Sequence, residues 1–160
     1  MKSFSQFIAE KKNANNVKHT LMCPSNSLDG INDLGKCWKV FLAGPIQGAP
    51  NWQHSVENLF TNNQNSNVVF LSPRRLSYDN FNYEEQVIWE KKYMALSDVI
   101  LFWIPEASED IKGRSYAQTT RTEFGEYLAR GKKIIFGAYK EFHGLRYFES
   151  KLKQYYGNIY

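Results

Sequence analysis

Three carboxylates and one small-residue loop hold most of the chemical potential of this chain. Glu123 stands in Thr120-Arg-Thr-Glu123, a hydroxyl followed three residues later by a carboxylate. That spacing is a capping box, in which each side chain satisfies the other's backbone N–H at a helix start. The same position suits a nucleophile, because the positive end of a helix dipole favours an ionised carboxylate and Gly125 leaves room beside it. A glutamate committed to its own backbone cannot also reach a substrate, so the two readings compete for one side chain. Glu90 taken singly reads as a solvated helix charge, and Asp98 as a boundary residue held by backbone N–H groups, ahead of any part in a site. The loop Gly44-Pro45-Ile46-Gln47-Gly48-Ala49-Pro50-Asn51-Trp52 would let backbone N–H groups approach a ligand. It is neither a GxGxxG fingerprint nor a P-loop, and an ordinary tight connection also accounts for it.

Other chemistries find little support. His19, His54 and His143 are dispersed, and Cys23 and Cys37 lack CxxC spacing, so neither a metal site nor a disulfide scaffold is expected. No GxSxG, HExxH or Cys/His arrangement occurs.

The elements that must position these groups follow from hydrophobic pattern. Val40–Ala43, Val68–Leu71, Val99–Ile104 and Lys132–Phe136 read as strands, each a continuous apolar run rather than an alternation. Between and after them, helical spacing runs over Pro50–Thr61, Tyr83–Ser97, about Arg121–Arg130 with Gly131 as its stop, and Leu145–Tyr155. Four strand-helix alternations with continuous apolar strands predict a parallel sheet covered on both faces. In such sheets the site lies beyond the carboxyl ends of the strands. The segments to search are therefore Gly44–Gln53, Ser72–Tyr83, Pro105–Glu123 and the stretch after Gly137. Residues 1–37 are richer in Asn, Ser, Lys and Gly, with a short amphipathic piece (Phe4, Phe7, Ile8) and a possible strand near Val17–Met22. They read as an N-terminal arm ahead of a domain over 38–160.

A length of 160 residues suits one domain, and 42% hydrophobic with 16% aromatic residues is globular composition. The net charge of +4 comes from scattered basic pairs, which argues against a nucleic-acid binder. Val99–Ile104 is too short to span a bilayer, and no apolar stretch follows the opening Met-Lys-Ser-Phe-Ser-Gln. A cytoplasmic protein with no membrane partner is the expectation.

Five ordered pieces alter the balance: Phe41-Leu-Ala-Gly-Pro-Ile46, Asn51-Trp52-Gln53, Gln86-Val-Ile-Trp-Glu90, Ser97-Asp98 running on to Pro105, and Thr120-Arg-Thr-Glu-Phe-Gly125. From about Lys39 to Gly137 the chain resembles the nucleoside 2-deoxyribosyltransferase family, in its FLAGPI-type branch. The resemblance implies a flavodoxin-like doubly wound parallel sheet in three α/β/α layers. It implies that Glu123 is the nucleophile and that Glu90 hydrogen-bonds and protonates the nucleobase. Phe41 falls where many members have a tyrosine beside the nucleophile. Ala117 falls where many have an aspartate for base recognition, so base preference is not implied.

On this reading the chain transfers 2-deoxyribose between nucleobases through a covalent glutamyl intermediate, with a nucleoside and a free base as partners and no cofactor. Its catalytic residues are Glu123 and Glu90, and its substrate-binding residues are Phe41, Gly44, Pro45, Gln47, Trp52, Gln53, Asp98, Trp103 and Gly125. A homo-oligomer is implied, the family's members being oligomers in which a neighbouring subunit contributes to the sugar pocket. The ending Tyr155-Tyr-Gly-Asn-Ile-Tyr160 is similar to a tail that reaches toward the site in some transferases. The first loop holds no Arg or Lys, which favours a nucleoside over a nucleotide. Two alternatives stand beside transfer: an N-glycosidase on the same scaffold, and a non-catalytic nucleotide-sensing module.

Overall fold

The structure is a computed structural model and describes residues 18–22, 37–61 and 68–157. The strands are β1 (Lys18–Met22), β2 (Trp38–Ala43), β3 (Val68–Ser72), β4 (Val99–Ile104) and β5 (Ile134–Ala138). The helices are α1 (Trp52–Thr61), α2 (Tyr83–Leu96), α3 (Gln118–Ala129) and α4 (Leu145–Tyr156). All five strands pair in parallel, in the order β1-β3-β2-β4-β5. The fifth strand, β1, comes from the segment that reads as an arm, and adds to the edge of the sheet beside β3. The amphipathic piece at Phe4–Ile8 and the final Asn158–Tyr160 lie outside the described residues.

The apolar runs form strands because they are buried on both sides. Every residue of β3 is buried, as are Val40, Phe41, Leu42 and Ala43 of β2. The pleat divides them between two layers. Phe41, Ala43, Val69, Leu71, Ile100, Phe102, Ile104 and Ile134 pack with residues of α2, α3 and α4 on one face. Val40, Leu42, Val68 and Phe70 pack with α1 on the other. This is the three-layer α/β/α arrangement of a flavodoxin-like fold. The chain leaves β2 toward β3 with α1 on one face, then crosses back over to β4 with α2 on the opposite face. The crossing makes a switch point between the carboxyl ends of β2 and β4, where such sheets leave a crevice.

Aromatic packing fixes the helix that carries Glu123. Phe124 meets Phe102 of β4 at 5.5 Å between ring centroids, Phe136 of β5 at 5.4 Å and Phe148 of α4 at 4.6 Å. Each such pair is worth about 1 kcal/mol beyond its burial. Together they tie α3 to the sheet and to α4, so the backbone at position 123 is held from three sides.

α3 begins at Gln118, three residues earlier than its sequence pattern suggests, because its cap carries no side-chain signal. The N-cap is Ala117, in the left-handed region at φ 56° and ψ 27°, and it makes no side-chain cap bond. α2 begins in the ordinary way: the Asn82 side-chain oxygen accepts from the N–H groups of Glu84 at 3.0 Å and Glu85 at 3.3 Å.

Candidate active site

One cavity of about 540 Å³ opens at the switch point, on the α2 and α3 side of the sheet. That is the size range of small-molecule sites. Its floor is the carboxyl end of β2, with Phe41, Ala43 and the loop Gly44–Gln47. One wall is a stripe of α2 at helical spacing, Tyr83, Gln86, Val87, Glu90 and Met94. The facing wall is the start of α3, from Ala117 to Glu123, with Glu126 and Tyr127. Tyr78 and Phe81 come from the loop before α2, and Ile111 and Arg114 from the loop before α3.

Glu123 is not a capping residue. With Ala117 as N-cap, Thr120 is the third residue of the helix and Glu123 the sixth, so the box geometry does not arise. The side chain is released to the cavity. It lies more than a turn inside the helix, where the dipole is weak, and its surroundings oppose ionisation. Burial first, then the Glu90 carboxylate, then Glu126, push the Glu123 carboxyl up to about 8. Glu90 is also raised, by burial, against the opposing influence of a hydrogen bond from Gln86 and the charge of Arg75. Two carboxyls of raised pKa thus face one cavity, and the charge of Glu90 opposes ionisation of Glu123.

Glu90 is held by a short relay. The Gln86 amide N–H donates to Glu90 Oε1 at 2.6 Å and to the Pro73 carbonyl at 2.9 Å, while its Oε1 accepts from Arg75 Nε at 2.8 Å. Phe41 lies beneath the pair, 6.0 Å from Trp89 between centroids. The two loops at the mouth are joined. Ser108 N–H donates to the Gly48 carbonyl at 2.8 Å, and Arg114 reaches Gln47 Oε1 at 2.6 Å and Thr119 Oγ1 at 2.9 Å. Gly44 cannot carry a side chain, since an added Cβ would lie 2.2 Å from the Trp103 carbonyl oxygen and 2.6 Å from the Trp52 ring.

Of the residues singled out from sequence, the cavity gathers Glu123, Glu90, Phe41, Gly44, Pro45 and Gln47. Five others lie outside it, each for a geometric reason. Trp52 and Gln53 belong to α1, on the other face of the sheet. Trp52 donates its indole N–H to the Pro45 carbonyl at 3.0 Å, and Gln53 Oε1 accepts from Arg74, which also reaches the carbonyls of Ile46 and Pro50. They shape the loop from behind. Trp103 alternates with Phe102, so it faces away from Phe41, over Gly137, and is 38% exposed. Gly125 is two residues past Glu123, about 200° around the helix, and exposed.

Asp98 sits at the opposite end of the sheet, at the entry to β4. Its carboxylate accepts from the Lys39 backbone N–H at 2.8 Å and pairs with Lys39 Nζ at 2.8 Å. The length of β4, about 20 Å, separates it from the cavity. Asp98→Asn is therefore expected to lower the denaturant midpoint by the equivalent of about 1 kcal/mol and to leave turnover unchanged. A loss of turnover at unchanged stability would return Asp98 to the site.

Several lining residues have no part in the reading from sequence. Gln86 was legible in principle, four residues before Glu90 and so on the same helical face. Arg114 had no signal beyond lying in a searched segment. It brings a cation to the first loop, although that loop contains none of its own. Among the described residues no cluster of His, Cys, Asp and Glu is arranged to hold a metal, and no helix is long and apolar enough to cross a membrane.

Fold and site together define a class: a flavodoxin-like domain with two carboxyls of raised pKa in a small-molecule cavity at its switch point. Residues 37–142, well over half of the chain, match the family described as nucleoside 2-deoxyribosyltransferase like, and the chain belongs to that family. The match contains both carboxyls and all the loops of the cavity. A comparison with curated proteins finds no match.

Proposed function

We propose that this protein transfers 2-deoxyribose from one nucleobase to another by double displacement, with Glu123 as nucleophile and Glu90 as acid and base. The observation that carries the reading is the pairing of these two carboxyls across one cavity, in a chain of this family. In the first step a Glu123 oxygen bonds to the anomeric carbon as the carbon–nitrogen bond breaks. The bond's electron pair goes to the base nitrogen, and the proton of Glu90 reaches the base. In the second step a nitrogen of the incoming base attacks the same carbon, the bond from that carbon to Glu123 breaks to return the carboxylate, and the proton given up by the incoming base passes to Glu90. No cofactor takes part. The apolar lining of Phe41, Met94 and Phe81 supports transfer over hydrolysis by limiting water at the ester. A homo-oligomer in the cytoplasm, with the domain over 38–160 as its catalytic unit, completes the reading.

A second reading has one observation in its favour. Arg114 at the cavity supports a nucleoside 5'-monophosphate as donor, with an anion to pair, and hydrolysis as the outcome. One experiment separates these readings. The purified protein is incubated with a deoxynucleoside, or its 5'-monophosphate, together with a different free base, and products are followed by chromatography. A new deoxynucleoside marks transfer, and free deoxyribose or its phosphate marks hydrolysis. Binding without either product would overturn both in favour of a sensing module.

A further inference from the structure

Arginine carries five N–H donors and no acceptor. The Gln86 atom 2.8 Å from Arg75 Nε is therefore its carbonyl oxygen, and the orientation of the amide is settled by chemistry. The amide nitrogen must then face Glu90 and Pro73, and it donates to Glu90 Oε1 at 2.6 Å. An oxygen that accepts this bond is not where a carboxyl proton is best carried, so the proton of Glu90 belongs on Oε2.

Arg75 is itself fixed. It is 9% exposed, lies 4.9 Å over the Phe81 ring and reaches the Asn82 carbonyl, at the cap of the helix that bears Gln86 and Glu90. Gln86 is 7% exposed. Neither is a surface group free to turn.

We propose that Arg75 and Gln86 are positioning residues, which hold Glu90 by Oε1 and reserve Oε2 for the proton exchanged with the nucleobase. This rests on the reading of Glu90 as the acid and base of the transfer. The two do not touch the reacting atoms; Arg75 orients the Gln86 amide, and its charge also favours the anion of Glu90 directly. Without Arg75 the amide can turn over and present its oxygen to Glu90, which reverses the preferred protonation of that carboxyl. The charged and titratable groups sharing the cavity with Glu90 are Glu123, Glu126 and Tyr127 of α3, Lys91 and Tyr83 of α2, Tyr78 of the loop before α2, and Glu109, Asp110, Arg114 and Tyr116 of the loop before α3. All of them stay in place in the variants below.

The test uses Gln86→Leu, Arg75→Met, the double variant and Arg75→Lys in the full chain, with two readouts. One is carbon NMR titration of the glutamate carboxyls, with Glu90 assigned by its loss in Glu90→Gln. The other is steady-state base exchange. Gln86→Leu should raise the Glu90 titration midpoint by about one pH unit and lower kcat about tenfold with KM little changed. Arg75→Met should move both the same way, the double variant should lose no more kcat than Gln86→Leu alone while its Glu90 midpoint rises further with the loss of the Arg75 charge, and Arg75→Lys should stay near the parent. An unmoved Glu90 titration in Gln86→Leu, or losses that add in the double variant, would overturn the relay. Absence of exchange in the unaltered protein would count against the transferase reading alone, because the titration decides the relay without turnover.

Discussion

Glu123→Gln is expected to lower the proposed base exchange by about 10⁴-fold or more while the protein stays folded and becomes more stable in alkaline solution. The loss follows from chemistry: an amide cannot form the glycosyl ester, and removing a nucleophile usually costs factors of this size. The gain follows from the environment. A carboxyl raised to about 8 in the folded chain, against 4.5 ordinarily, destabilises the fold as pH climbs between those values. The sign is set by proton count, since across that window the folded state holds a proton that the unfolded state has released. Stability therefore falls with rising pH and levels off above about 8. Glutamine keeps the shape and carries no charge, so at pH 9 the variant should exceed the parent by on the order of 2 kcal/mol, after allowance for solvent in the open cavity. Intact-protein mass spectrometry gives a third readout. The parent incubated with a deoxynucleoside and no acceptor base should gain one deoxyribosyl group, and the variant none. Persistent exchange in a folded Glu123→Gln protein would sink the nucleophile assignment.

What could be read ahead of the structure was what rests on local pattern. β4 is found over the residues its apolar run marks out, and β2 and β3 differ from theirs by one or two residues. A strand buried on both faces must be apolar at every position, so its limits are written in composition. β5 begins two residues later than its run suggests, since the Lys132 backbone N–H still donates to the Tyr127 carbonyl at the end of α3. The start of α3 was not legible, because Ala117 caps it by backbone conformation alone. That displacement matters chemically, as it turns an apparent capping box into a free carboxyl. The side-chain sorting was less legible still. Phe41 and Trp103 look equivalent as strand aromatics, yet only the register of β2 on β4, with Ala43 opposite Phe102, puts them on opposite faces. Asp98 and Glu90 are eight residues apart and end at opposite ends of the sheet, because α2 runs back against the strands it connects. The Arg75 relay and the Arg114 bridge depend on loops meeting in space, for which no spacing rule exists.

The pH dependence of transfer should be bell-shaped, and its alkaline limb should disappear when Glu90 is replaced. On the proposed mechanism the working state of the pair holds one proton, with Glu123 ionised to attack and Glu90 protonated to serve the leaving base. In acid both carboxyls are protonated and no nucleophile exists. Above about 8 the last proton leaves and the acid is gone. In the free protein Gln86 and Arg75 favour the anion of Glu90, while burial and the carboxylates of Glu90 and Glu126 oppose the anion of Glu123. A base that accepts a hydrogen bond from Glu90 would favour the protonated form of Glu90 and with it the ionised form of Glu123, so that on the proposed mechanism substrate binding arms the nucleophile. Glu90→Gln should lower kcat/KM by about 10²- to 10⁴-fold, the usual share of a general acid. It also deletes the charge that helps hold Glu123 up. The residual activity should then rise along a single limb whose midpoint lies below 8, and should not fall again in alkali. A parent profile without an alkaline limb, or a Glu90→Gln profile of the same bell shape, would separate the two carboxyls and leave Glu123 to act with some other acid.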